Sequence, residues 1–350
     1  MKVLYGVQGT GNGHITRARA MAAAMTAKGI EVDWVFSGRE RSKLFDMECF
    51  GDFHCFRGLT FQVSNGRIDM RRTMNEASMA QLWRDTRTLS PQEYDLVLTD
   101  FEPTVAWAAR ARGVPCIGIG HQYAFAHDIP KTGHSVVSEA IMRWFAPVSL
   151  GLGVHWHHFD SDILPPIIEP VLKPEPGDLD TVLIYLPFEN SQRIIDLLKP
   201  LKRYQFIMHC ADLTPGLYGN TVVRGFSRDG FKASLHECGS VVCNAGFELT
   251  SEALALGKRI LVKPLQGQME QSSNAAALEQ LGLGQVMPDL SASAIAYFLA
   301  TAERQWVHYP DVAGAIVDWL QVYPNRPLTD LVATLWQEVR FSSTEVIQAA

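Results

Sequence analysis

Two segments of this chain carry residue types that do chemistry. The first reads Gly9-Thr10-Gly11-Asn12-Gly13-His14 and leads from a short apolar run, Val3–Gln8, into a helical pattern. Three glycines let the backbone turn sharply and approach a ligand, because no Cβ stands in the way. The helix start beyond offers unpaired N–H groups and a positive dipole end, suited to a phosphate or a developing negative charge. His14, in the first turn of that helix, is the candidate general base; a histidine that only caps the helix start stays open beside it. Asp100, in Thr99-Asp100-Phe101-Glu102-Pro103, can orient His14, with Glu102 as its rival and simple capping of the next helix as the alternative. A dinucleotide fingerprint would put Gly or Ala where His14 stands, and an acidic residue at the end of the second strand. That strand ends Phe36-Ser37-Gly38, and the Gly-Lys-Ser/Thr of a P-loop is missing.

The second segment is longer. It reads Asn244-Ala245-Gly246-Phe247-Glu248-Leu249-Thr250-Ser251-Glu252-Ala253, then Gly257, Pro264, Gln266-Gly267-Gln268-Met269-Glu270-Gln271 and Asn274. The Ala245-Gly246 turn frees another helix N-terminus to receive a diphosphate. Glu248 and Glu252, one helical turn apart, share a face where a carboxylate can accept both hydroxyls of a ribose. Glu270 and Gln271 follow the next strand and can bracket sugar hydroxyls. Three other features are weaker. Asp160-Ser161-Asp162 mimics a metal-binding motif but reads as a surface turn. His155, His157 and His158 lack metal-ligand spacing, so no metal is expected. Arg67, Arg71, Arg72, Arg84 and Arg87, interleaved with Met70, Met74, Met79, Leu82 and Trp83, form a basic stretch that is either a solvated face or a contact for anionic lipid or an acidic acceptor.

These groups need elements to hold them. Apolar runs at Val3–Gln8, Glu31–Phe36, Leu96–Thr99 and Cys116–Ile119 read as buried strands. Ile15, Ala18, Met21, Ala22 and Met25 recur at helical spacing over His14–Lys28, and Gly29 supplies the stop. Five prolines between Pro165 and Pro176 mark a stiff connector, after which the alternation restarts. Strands are predicted at Val182–Leu186, Gln205–Met208, Ser240–Cys243 and Ile260–Lys263, with helices at Gln192–Leu201 and Phe247–Leu256. The chain after Pro310 reads as helical to its end. At 350 residues, with 47% hydrophobic and 19% charged residues, the chain has the size of two globular domains. The predicted class is α/β. The predicted division is an N-terminal domain over 1–165, a hinge over 166–177, a C-terminal domain over 178–325 and a helical segment over 326–350, whose crossing back to the N-terminal domain is left open. A net charge of −6 argues against a broad nucleic-acid surface. The longest uninterrupted apolar run, Trp144–Val154, is too short to span a bilayer. Six cysteines without a CxxC pair suggest reduced thiols and a cytoplasmic chain.

Taken together, the Gly9–His14 loop and the Gly246–Glu252, Gly257, Pro264, Glu270-Gln271, Asn274 string resemble the GT-B-fold glycosyltransferases. The likeness is to the group of the peptidoglycan lipid-intermediate N-acetylglucosaminyltransferase and the UDP-glycosyltransferases. The resemblance implies two Rossmann-like α/β domains with parallel sheets facing across a cleft, the N-terminal one holding the acceptor and base. It implies a C-terminal domain that binds a nucleotide sugar, most often UDP-linked. On that likeness Glu252 is the ribose-binding glutamate, Gln271 and its neighbours Gln268 and Glu270 lie at the sugar, and Phe226 flanks the base. Ala245, Gly246, Phe247 and Glu248 fall at the diphosphate, and Thr250 and Ser251 count among the donor-binding residues. Two departures stand out: Leu186-Pro187-Phe188-Glu189-Asn190 replaces a second glycine-rich turn, and Asn244 replaces a histidine.

The implied reaction is inverting transfer to an acceptor hydroxyl without metal or other cofactor. The implied acceptor is a small molecule, a glycan or a lipid-linked glycan, with peripheral contact at the inner membrane face left open. A nucleotide-sugar 2-epimerase of the same fold and a non-catalytic nucleotide-sugar-binding protein are the alternatives.

Overall fold

The structure, a computed structural model, describes residues 1–59, 63–64, 67–68, 79–133 and 136–342. The first apolar run forms strand β1 (Lys2–Gln8), and the helical pattern forms α1 (Asn12–Ala27). That helix starts two residues earlier than its apolar spacing indicates, so Asn12 and Gly13 belong to it and His14 is its third residue. The five apolar positions read from the sequence are buried in α1, together with Ala20 and a charged residue, Arg17. Gly29 closes the helix at φ 65°, a left-handed conformation that glycine adopts without strain.

Six further strands complete the first sheet: β2 (Glu31–Ser37), β3 (Phe53–Phe56), β4 (Leu96–Asp100), β5 (Ile117–Gly120), β6 (Leu150–Val154) and β7 (Ile163–Leu164). Their order is β3-β2-β1-β4-β5-β6-β7, and all pairs are parallel. β6 takes up the end of the Trp144–Val154 run, and among the described residues no helix is long and apolar enough to cross a membrane. The helices between strands are α2 (Met79–Thr88), α3 (Pro103–Ala111), α4 (His121–Ala124) and α5 (Val136–Trp144).

The second sheet repeats the scheme with β8 (Asp178–Tyr185), β9 (Gln205–His209), β10 (Gly216–Tyr218), β11 (Thr221–Arg224), β12 (Cys238–Asn244), β13 (Arg259–Lys263) and β14 (Gln285–Val286). Its order is β10-β11-β9-β8-β12-β13-β14, with only β10 and β11 antiparallel. The helices are α6 (Ser191–Leu198), α7 (Arg228–Glu237), α8 (Phe247–Ala255), α9 (Met269–Gln280) and α10 (Ala292–Thr301). In each sheet a central strand, β1 or β8, has its sequence neighbour on one side and a later strand on the other. Loops leaving such strands diverge and open a crevice at their carboxyl ends.

The C-terminal part departs from the expected helix to the end. After α11 (Val312–Val322) and α12 (Leu328–Glu338) the chain forms β16 (Arg340–Phe341), antiparallel to β15 (Val307–His308). Both helices return to the first domain. Lys28, just past the end of α1, pairs with Asp318 of α11 at 2.5 Å, and the Trp336 indole N–H donates to the carbonyl of Ile163 in β7 at 2.6 Å. The cysteines are all free thiols; four are buried, Cys55 is half-buried and Cys49 is exposed.

Candidate active site

β1 and β4 lie side by side with Val7 opposite Asp100, so the glycine loop and the end of β4 meet at one sheet edge. There His14 Nδ1 lies 2.8 Å from Asp100 Oδ1, with the His14 side chain 15% exposed and that of Asp100 fully buried. A ring N–H at Nδ1 donating to the carboxylate leaves Nε2 as the acceptor nitrogen, the arrangement of an oriented general base. Of the two carboxylates, Asp100 is the one in contact with His14. Glu102 accepts the backbone N–H groups of Thr104 and Val105 at 2.7 Å and the Ser37 hydroxyl at 2.6 Å. It caps α3, and it is Glu102 rather than Asp100 that does so, because a residue just before Pro103 at the first helical position points its carboxylate into the helix start.

Arg17 is not among the residues singled out from the sequence. It is buried, and its Nε and Nη2 donate to the two oxygens of Asp100 at 2.8 and 2.7 Å. Its Nη1 pairs with Glu248, the second residue of α8 in the other domain. Gly13 makes that approach possible, since a Cβ on it would stand 2.9 Å from Glu248 Cγ. The only signal for Arg17 was its place beside Ala18 and Met21 on the buried stripe, and arginines on helices are ordinarily solvated.

Charge in this cluster is shared unevenly. Burial would raise the Asp100 carboxyl, but Arg17 and His14 outweigh it and hold it below its ordinary value. For Glu248 burial wins over Arg17, helped by Asp100, Glu252 and Glu270, and pushes the carboxyl up to about 8. Burial also pushes Glu252 up to about 7, against the pull of Lys232, Arg228 and Arg19. One guanidinium thus serves two buried carboxylates, and Glu248 Oε2 has no hydrogen-bond partner.

Further side chains join the two domains. The His121 ring lies 4.0 Å from that of Phe247 with 5° between planes, and Trp156 stacks on Phe247 at 4.9 Å. His121 Nε2 is 2.7 Å from Asn274 Oδ1, and Gln122 donates to Glu270 at 3.1 Å. From the glycine loop, Asn12 donates to the Tyr185 hydroxyl at 3.3 Å, while Arg39 holds Thr10 O and Asn12 Oδ1. The Gly9 N–H donates to Ser37 O at 2.6 Å, where a side chain would crowd the turn.

The remaining candidates divide. Gly11 and Gly246 begin α1 and α8 with no side-chain cap, whereas Glu102, Asn190 and Ser227 cap α3, α6 and α7. A Cβ built on Gly246 meets nothing within 4 Å, so the start of α8 faces open space beside Ala245. Asn244 Oδ1, Gln268 Oε1 and Gln122 Oε1, all buried acceptor atoms, are without hydrogen-bond partners. Phe226 is 43% exposed and 6.4 Å from Tyr185. By contrast, the Thr250 hydroxyl donates to Gly246 O, and that of Ser251 donates to Phe247 O and accepts the Trp156 indole N–H. Those two hydroxyls are engaged inside the protein. Gln271 Oε1 accepts the Leu265 N–H at 2.9 Å, which fixes that side chain against its own loop. Glu189, in the loop after β8, pairs with Lys263 at 2.6 Å where a glycine-rich turn would have exposed backbone.

Asp160-Ser161-Asp162 sits in a turn with Asp160 at φ 51°, and His155 and His157 accept neighbouring backbone N–H groups. Of the basic stretch, Trp83, Arg84 and Arg87 are exposed on α2 and Leu82 is buried. Met70, Arg71, Arg72 and Met74 lie outside the described residues, as does the side chain of Arg67.

Comparison with solved structures gives the same architecture. The glycotransferase of kitacinnamycin superposes with a TM-score of 0.60 at 13% identity, covering 96% of this chain and 95% of its own. LpCGTa, solved in complex with UDP, gives 0.58 at 15%, covering 95% and 99%. MurG of Acinetobacter baumannii gives 0.52 at 16%, covering 96% and 94%. Comparison with curated proteins gives no match. The sequence matches the family described as glycosyl transferase family 1 over residues 1–302. With the two facing α/β domains of the GT-B fold in place, the chain belongs to that family and is a glycosyltransferase.

Proposed function

We propose that this glycosyltransferase moves a sugar from a UDP-linked donor to an acceptor hydroxyl, with inversion and without a metal. The observation that carries the reading is the His14–Asp100 pair, set on α1 next to a glycine that packs against Glu248 of α8. The base and the free start of the donor-side helix therefore face the same crevice. His14 Nε2 takes the proton of the acceptor hydroxyl as its oxygen attacks the anomeric carbon from the face opposite the leaving group. A base in this position contributes roughly 10²–10⁴-fold. The bond to the diphosphate breaks, and the charge left on it is stabilised by the first-turn N–H groups of α8. Glu252 accepts the ribose hydroxyls, Phe226 flanks the base, and Glu270 and Gln268 face the sugar, with Gln271 offering its amide N–H groups while its Oε1 stays on Leu265. The buried acceptor atoms of Asn244, Gln268 and Gln122 are complementary to sugar hydroxyl donors. The acceptor is a small molecule, a glycan or a lipid-linked glycan.

The expected outcomes separate the two halves of the site. His14→Ala abolishes UDP release from the donor while donor affinity stays within a few-fold of wild type. Glu252→Ala weakens UDP binding about 10-fold or more, as loss of hydrogen bonds to a buried charged group costs ~1.5–3 kcal/mol. Full turnover in the first variant removes His14 as the base; unaltered UDP affinity in the second removes the ribose contact. Turnover unchanged in chelator, with an anomeric configuration in the product opposite to the donor's, checks metal independence and inversion.

A further inference from the structure

His14 and Asp100 do not stand alone. Both oxygens of Asp100 are held by Arg17, whose Nη2 also lies 3.2 Å from His14 Nδ1. The third arm of the same guanidinium crosses to Glu248 of α8. Arg17, Asp100 and Glu248 are all buried, so the cluster works in a medium where a charge is felt strongly. Two parallel N–H···O bonds fix the plane of the Asp100 carboxylate, and that plane sets where the imidazole can sit. The geometry points to Arg17 as the positioning residue of the His14–Asp100 pair, coupling it to docking of the donor-side helix through Glu248. This rests on the reading of His14 as the base.

The physical consequence follows from geometry. With Glu248 docked, the third arm of the guanidinium is held from the other domain, and the fork that grips Asp100 keeps its plane. With α8 withdrawn, that arm is released, the fork is free to turn, and the seat of the imidazole against Asp100 loosens. The base is thus fully effective only when the two domains are together. The titratable and charged groups facing the cluster are Tyr5 from β1, Asp100 from β4, His121 and Tyr123 from α4, Glu248 and Glu252 from α8, and Glu270 from α9, beside His14 and Arg17 of α1. Only Arg17 among them is permanently cationic, so its removal changes the field at His14 in one direction.

The test compares Arg17→Met, which keeps bulk and removes charge, with Arg17→Lys, which keeps charge and loses the fork. Two profiles are recorded against pH: UDP release from the UDP-sugar that most raises the melting temperature of the wild type, and acylation of His14 by diethyl pyrocarbonate followed by mass spectrometry. Arg17→Met should move the acid limb of both profiles upward by about one pH unit, the size expected for loss of an adjacent cation. Arg17→Lys should leave the limb in place while lowering kcat about 10-fold or more, since one ammonium cannot hold both carboxylate oxygens. Glu248→Ala combined with Arg17→Met should cost no more kcat than Arg17→Met alone. Two variants that lose activity alike with unmoved limbs make Arg17 a mere strut and overturn the proposal. Multiplying losses overturn the coupling through Glu248. A wild type that releases no UDP from any UDP-sugar fails the base reading instead, and the acylation profile still decides whether Arg17 acts on His14.

Discussion

Glu248 and Glu252 differ from ordinary helix glutamates in being withdrawn from water, Glu248 buried beside further carboxylates and Glu252 half-buried among cations that do not outweigh its desolvation. Raised to about 8 and about 7 from the usual 4.5, they bind protons in the folded chain that the unfolded chain has released. Their contribution to stability is therefore full below about pH 4.5 and is lost as the pH rises through 7 and 8. Asp100 works the other way: held below its ordinary value, it contributes above that value and the contribution is lost on acidification. The melting temperature of the wild type should fall by several degrees between pH 5.5 and 8.5, and Glu248→Gln with Glu252→Gln should flatten that slope. A slope unchanged by both substitutions would place the titration elsewhere. At this scale the residue types were legible and their partners were not. Nothing in Asp100 or Glu102 as residue types says which one caps α3 and which one touches His14; their places after β4 and before Pro103 do.

At the scale of elements, the glycines at the two helix starts have separate duties. Gly246 keeps the start of α8 open, while Gly13 is a contact point already inside α1. Alanine at a helical glycine ordinarily favours the helix by ~0.5–1 kcal/mol. At Gly13 the added methyl would meet Glu248 at 2.9 Å, and the side that gives way is the interface between the helices. Gly13→Ala is expected to lose about 10-fold or more in UDP release while its melting temperature changes by only a few degrees. A fully active Gly13→Ala enzyme would show that α1 and α8 need not meet for turnover. Helix and strand identities could be read from apolar spacing because each buried face repeats over several turns. The two-residue error at the start of α1 arises where Asn12 and Gly13 leave no periodic apolar signal.

The whole molecule is closed by its C-terminal part. α11 buries Val312, Ile316, Val317, Trp319 and Leu320, and α12 buries Leu331 and Leu335. Each such side chain contributes ~1.5–3 kcal/mol by burial, so together they are on the scale of the ~5–15 kcal/mol by which domains are stable. Truncation after Pro310 should remove cooperative unfolding, as followed by circular dichroism on heating. A sharp transition within a few degrees of wild type would mean that the helices are an appendage.

The sequence by itself determined the alternating α/β plan, the proline-rich connector and the loops where chemistry sits, because periodicity and glycine act within a few residues of where they are written. Tertiary structure alone decided that α11 and α12 return to the first domain, that Arg17 joins Asp100 to Glu248, and that the hydroxyls of Thr250 and Ser251 turn inward. Those outcomes depend on which residues distant in the chain become neighbours, and a buried arginine is tolerable only where such neighbours supply two carboxylates.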